Sequence, residues 1–397
     1  MGYIFLCLSA EFMTSAIWYP GRRSAGRPSW FNSRRARSWA WQILGVLVFC
    51  ALVLWLGNNA RVNMAARNIT FGFDFLLHPA GFDIPFHLLS WNLTDTYGYA
   101  LLICVLNSAL CAAMSIALAS ALGLLIALMR LSGNPLMVGT SRSVVEVVRN
   151  TPQLVQIFFI YVAVLQSLPP PRQSIAFGWG IFLNVRGLLL PSPDLGIGML
   201  LAGAGLLALV MIGWFVRRPR LIPGVVLALP LAVAWFVVAA FSARWDIPTL
   251  QGFNFTGGLR VPPELLALWL GISIYTSAFI SEVIRASILG VSHGQTEAAR
   301  SIGLSRGQTM FLIILPQALR ILIPPLTSQY LNIIKSTTLG AAIAYPDVLQ
   351  IFGRTVLNQS GRAVEVMTLL IGVFLSINLA TSAIMNRWNR RLIEQGR

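Results

Sequence analysis

The chain has 397 residues, 56% of them hydrophobic and only 11% charged, where a soluble domain averages about 25% charged. That deficit argues against a soluble enzyme and for a lipid-embedded protein, and several uncharged runs near 20 residues are long enough to cross a bilayer. The net charge of +16 would suit nucleic-acid binding, but the arginines sit in the gaps between apolar runs, which is positive-inside bias and calls for lipid rather than nucleic acid as the partner.

Residues 1–38 read as a cytoplasmic tail. Its arginine cluster, from Arg22 to Arg37, anchors topology. A first helix is predicted over about Trp39–Leu56, with Trp39 and Trp41 at an interface. A polar outside segment then runs to residue 93. The second helix, about Thr94–Met129, has Thr94 as its expected N-cap and a stripe of small residues: Ser108, Ala112, Ser115, Ala119 and Gly123. Such a stripe lets helices approach closely.

Residues 130–151 read as a cytoplasmic gap with a Ser132-Gly133-Asn134-Pro135 turn signal. Helix three follows over about Pro152–Leu168, with Gln153 and Gln156 near its entry. Such amides are ordinarily interfacial but can also face a pathway. Pro169-Pro170-Pro171 ends that helix outside. Helices four (about 195–216) and five (about 221–241) form a hairpin around Arg217, Arg218 and Arg220, almost without polar side chains. Helix six starts at Pro262-Pro263-Glu264 and runs to about Leu289, with Glu282 and Arg285 spaced to pair.

The stretch from Glu297 to Pro316, EAARSIGLSRGQTMFLIILP, opens polar between two apolar segments. Gly303 breaks a helix there and Pro316 is expected to end the apolar tail, giving a short helix, a turn and a second short helix. Helix seven is predicted from Pro324-Pro325 to about Ile343, stopped outside by Tyr345-Pro346-Asp347. It carries Thr327, Ser328, Gln329, Asn332, Lys335, Ser336, Thr337 and Thr338. Polar groups are costly in lipid, so they need a wet interior or polar helix contacts; pathway and interface are both open readings. Helix eight covers about Val364–Met385. The expectation is an all-α polytopic protein of about eight spans. On that topology 20 arginines fall inside and 8 outside, and both termini are cytoplasmic.

No enzyme signature is present. There is no Gly-x-Ser-x-Gly, and His78, His87 and His293 do not cluster. Cys104 and Cys111 would lie roughly 10 Å apart along one helix, too far to bridge. No metal site is supported. A P-loop requires Gly-Lys-[Ser/Thr], yet the sole lysine, Lys335, follows Ile334. Any ATP used must therefore be bound by another polypeptide.

Glu297-Ala298-Ala299, then Gly303, then Ile313-x-Leu315-Pro316 is similar to the cytoplasmic EAA signature of importer permeases of the ATP-binding cassette (ABC) type. Arg149-Asn150-Thr151-Pro152-Gln153-Leu154 and Pro316-Gln317-Ala318-Leu319-Arg320 resemble the polar amino-acid subgroup, of histidine and glutamine type. The resemblance covers about 94–168 and 262–391, a five-helix type I importer core with its coupling loop at 297–316. Residues 39–93 and 169–261 are extra, as in the larger permeases of general L-amino-acid importers; residues 392–397 form a cytoplasmic tail.

The resemblance implies that Glu297, Ala298, Ala299 and Gly303 dock on a cytoplasmic ABC ATPase dimer, which alone holds ATP and Mg. It also implies a second, paralogous permease and a periplasmic amino-acid-binding protein, in the inner membrane of a bacterium. Gln329, Asn332, Lys335, Ser336 and Thr338 are the expected pathway residues. The rival class is a self-sufficient secondary transporter or channel, for which Glu282 is the nearest candidate acid, with Arg285 beside it.

Overall fold

The structure, a computed structural model, describes residues 34–66, 72–194, 235 and 244–394. Apart from Trp235, the expected hairpin at about 195–216 and 221–241 lies outside the described residues. The chain divides into two units, Met1–Thr70 and Phe71–Arg397.

The first unit contains α1, Arg34–Ala66. It runs past the expected stop near Leu56. Gly57 costs a helix only about 1 kcal/mol, and Ala60, Arg61, Met64, Ala65 and Ala66 resume good helix formers. Large apolar side chains along it, including Trp41 and Leu54, are exposed, as a lipid-facing span requires.

In the second unit α2 spans Tyr97–Arg130. Its N-cap is Thr96, whose hydroxyl accepts from the Tyr99 N–H, not Thr94 as the sequence suggests. A local turn uses residues 92–95, where the Asp95 carboxylate accepts from the Asn92 N–H at 2.8 Å. Thr96 is the first residue left free to cap.

The expected gap at 130–151 is largely helical. α3, Pro135–Asn150, starts with the Asn134 side chain accepting from the Leu136 N–H at 2.9 Å and proline in its first turn. α4, Gln153–Leu165, follows after a bend of 102° and finishes as a π-helical turn. The Gln156 amide fastens this elbow, donating to the Val148 and Thr151 carbonyls.

The segments at 169–194 and 244–262 are not featureless. Strands β1 (Ile175–Gly178), β2 (Ile181–Asn184), β3 (Gly187–Leu190) and β8 (Leu259–Val261) form an antiparallel sheet in that order. Between them β4 (Ser192–Asp194) pairs β5 (Arg244–Asp246), and β6 (Thr249–Gln251) pairs β7 (Asn254–Thr256). Asp194 sits opposite Arg244. The all-α expectation therefore describes the spans, while the connecting segments add short strands.

α5, Pro263–Leu289, matches its expected bounds, with Glu264 in the first turn. α6 is His293–Ser301. α7 is one long element, Arg306–Ile343, with a π turn at Thr309–Ile314 and a 3-10 end from Thr337. Pro316 does not terminate it, and Pro324-Pro325 lie inside it rather than at its start. Pro316 falls in the first turn of the regular stretch, where its missing N–H matters little. Membrane helices tolerate interior proline where neighbouring groups re-satisfy the backbone. After the turn at Ala344, residues 348–360 form a short helix, α8, capped by Asp347. α9 is Ala363–Glu394. Among the described residues five helices are long and apolar enough to cross a membrane, or six when the bent α3–α4 pair counts as one span.

The core is the parallel packing of α2 on α5. The small-residue stripe of α2 is buried against α5. A Cβ added to Gly123 would lie 2.7 Å from Ile280, and one added to Gly271 would lie 2.6 Å from Ile157 on α4. Beyond the helix contacts, Asn107 donates to the Phe86 and Pro346 carbonyls, and Tyr345 donates to the Asn107 carbonyl. Arg362 pairs with Asp74 at 2.6 Å and lies over the Phe75 ring. Its guanidinium holds the Asp74 carboxyl below the usual range.

Candidate functional site

Two sites expected from the sequence lie on consecutive elements, α6 and α7. In α6 the residues Glu297 and Ala298 face outward, while Ala299 is buried. Among the described residues Glu297 bonds only within its own helix: His293 Nδ1 lies 3.1 Å from its carboxylate and Ser301 donates to its carbonyl. The helix stops in a Schellman motif, with Gly303 N–H on the Arg300 carbonyl and Leu304 N–H on the Ala299 carbonyl. Gly303 has φ +83°, a conformation that costs an L residue about 1–2 kcal/mol.

Two residues later α7 starts with a capping box. Ser305 accepts from the Gln308 N–H and Gln308 accepts from the Ser305 N–H. The Ser-x-x-Gln spacing was readable in the sequence. Stop and start signals thus fix the angle between α6 and α7. Gln317 of α7 also donates to Gln295 of α6 at 3.3 Å, so the short exposed helix is fastened to the long one.

Further along α7, Gln329, Asn332, Lys335 and Ser336 line one cavity of about 350 Å³. Gln153 of α4 closes one side and Tyr275, Thr276 and Phe279 of α5 another. The Ser336 hydroxyl donates to Gln153 Oε1 at 3.1 Å, while Gln153 Nε2 is buried with no partner among the described residues. Lys335 has no carboxylate partner among the described residues. Thr338, the fifth expected residue, is not in the wall; its hydroxyl donates to the Lys335 carbonyl. Thr327 and Thr337 likewise bond their own helix. Of the two amides at the α4 entry, Gln153 faces the cavity and Gln156 staples the elbow.

A second cavity, of about 290 Å³, lies beside the first and is lined by Arg130, Arg142, Glu146, Arg149 and Glu282. Glu282 is clamped by two cations. Arg130 bonds one of its oxygens and Arg285 the other, the latter at 2.5 Å. A carboxylate held this way is poorly placed to relay protons. Among the described residues no group of His, Cys, Asp and Glu could hold a metal ion.

The sequence profile of the family described as "Binding-protein-dependent transport system inner membrane component" matches residues 195–394. The chain is 46% identical over 380 residues to YhdX of Escherichia coli strain K12, named as an amino-acid ABC transporter permease, covering 91% of this chain and 95% of that protein. It is 40% identical over 371 residues to the general L-amino acid transport permease AapQ of Rhizobium johnstonii, with coverage of 90% and 92%. It is 34% identical over 402 residues to BztB of Rhodobacter capsulatus, a glutamate/glutamine/aspartate/asparagine transport permease, with coverage of 90% and 94%. The chain therefore belongs to the family of inner membrane components of binding-protein-dependent transport systems, as a multi-pass permease subunit and not an enzyme.

Proposed function

We propose that the chain is the permease of an ATP-driven importer of L-amino acids, of polar or broad specificity, that receives cargo from a periplasmic binding protein. Its relatives by sequence are amino-acid permeases over nine-tenths of its length. The observation that carries the mechanism is the tie between α6 and α7, made by the Gln295–Gln317 bond and the paired stop and start signals. Glu297, Ala298 and Gly303 form the outer side of a lever that docks on a cytoplasmic ATPase dimer, and Ala299 packs it inward. ATP and Mg are held by that partner. Displacement of the lever moves α7, and with it the wall of the polar cavity.

In this reading Gln329, Asn332, Lys335 and Ser336 line the pathway. Thr338 acts only through its backbone bond. Both termini are cytoplasmic, and the second permease is a paralogue, as the extended form suggests. Helix-lining amides and a lysine suit a zwitterion, whose carboxylate and ammonium both need partners once dehydrated.

Cysteines placed at positions 329, 332 and 335 in the reconstituted assembly test the pathway. Labelling by soluble thiol reagents should change with nucleotide state. Inertness of all three in every state would remove the pathway assignment. Uptake driven by a proton gradient without ATP would replace the importer with a secondary transporter.

A further inference from the structure

The two cavities share one wall residue. Phe279 lines both the polar cavity of Gln329, Asn332 and Lys335 and the charged cavity of Arg130, Arg142 and Glu282. The shared residue is an aromatic ring on α5, one turn beyond Tyr275, with ring centroids 5.0 Å apart. The Arg149 guanidinium lies over the Phe279 ring at 5.0 Å from its centroid.

The elbow between α3 and α4 explains how these groups meet. The chain bends by 102° at Thr151-Pro152, which puts Arg149 in the charged cavity and Gln153 in the polar one. The elbow is stapled by Gln156 and by the Thr151 hydroxyl on the Val147 carbonyl. The base from which Arg149 reaches is therefore fixed, while its long exposed side chain can leave the ring. The Phe279 ring is half-buried and lies between two open spaces.

We propose that Phe279 is the gate between the polar cavity and the charged vestibule, and that Arg149 is its latch. A cation over the ring face holds the ring across the passage. When the guanidinium swings away, the ring is free to rotate and the two cavities join. An apolar ring also excludes water and ions from the passage while it is shut. The proposal rests on the pathway reading of the polar cavity and adds the residue that closes it.

The test uses the complete reconstituted assembly, with Cys7 and Cys50 replaced by serine and the buried Cys104 and Cys111 retained. Asn332→Cys is labelled, without nucleotide, by an impermeant maleimide applied only on the side of Arg142 and Glu282. Phe279→Ala should raise the labelling rate roughly tenfold, and Arg149→Gln should raise it by a smaller factor. Phe279→Tyr keeps the ring and should leave the rate unchanged. Co-purification of all subunits checks that each variant assembles.

Unchanged labelling in both Phe279→Ala and Arg149→Gln overturns the gate. So does an equal rise in Phe279→Tyr, which would signal loosened packing. Arg149 is exposed, so its substitution reads the latch even if Phe279→Ala fails to assemble. If Asn332→Cys stays inert from both sides in every variant, the pathway reading has failed and the gate falls with it. Labelling that nucleotide changes but Phe279→Ala and Arg149→Gln do not leaves the pathway standing without this gate.

Discussion

α5 and α7 are both membrane helices with many polar residues, yet they use them in opposite ways. On α5 the serines 273, 277, 281 and 287 are buried, and each donates to a carbonyl three or four residues earlier on the same helix. They are small groups that satisfy themselves and let α2 and α4 come close. On α7 the polar residues that matter are long. Gln329, Asn332 and Lys335 instead line an open cavity. The comparison teaches that polarity in a membrane helix is not one signal. Hydroxyls bonded within their own helix mark close packing; a cluster of polar side chains facing one cavity marks a polar wall.

The largest effect should come from breaking the packing helix. Gly271→Leu puts a side chain where even a Cβ would lie 2.6 Å from Ile157 Cγ1 and 3.2 Å from its Cα. Overpacking costs about 1–3 kcal/mol or more, and the affected backbone lies at the heart of the bundle. Loss of monodisperse protein after detergent extraction is expected; normal yield would show that α4 and α5 can separate freely.

A smaller effect should follow at the turn between α6 and α7, where the proposed lever ends. Nothing lies within 4 Å of a Cβ at Gly303, so the constraint there is conformational. Gly303→Val should insert normally but lower ATP-driven uptake about tenfold, because a β-branched residue resists φ > 0. Gly303→Asn, which tolerates that region, should keep most of the activity. Full uptake by the valine variant would sink the coupling role.

The smallest effect concerns the C-terminal end of α7. Asp347 lies between spans and is fully buried, and burial pushes its carboxyl from 3.8 up to about 7. The folded protein thus holds this proton more tightly than the unfolded chain. Its contribution to stability is complete below the unfolded value and is lost as pH rises through about 7. Thermal unfolding should occur at higher temperature at pH 5.5 than at pH 8.5. Asp347→Asn should flatten that dependence while preserving the cap on the Gln350 N–H.

Much of the fold was legible because lipid imposes strong rules. Apolar length marked the spans, and α5 was bounded to within a residue by Pro262-Pro263-Glu264 and Gly290. The small stripe on α2 announced a close helix contact. Other features were legible but missed. Asn134-Pro135 is as good a helix start as a turn signal, and it opens α3. Pro316 and Pro324-Pro325 misled because proline stops a helix in water more reliably than in a membrane. The strands escaped because each is only three or four residues long, too short for alternation to show.

By itself the sequence determined the membrane class, the short helix and turn at Glu297 to Gly303, the absence of a P-loop and the helix that bears the polar wall. All of these depend on local spacing and composition, which a chain carries wherever it folds. Only the tertiary structure decided which polar residues face a common cavity, that Arg149 meets Phe279, and that Glu282 is clamped by two arginines. Those facts require segments far apart in the chain to be brought side by side, and no spacing within one helix encodes which neighbour it will meet.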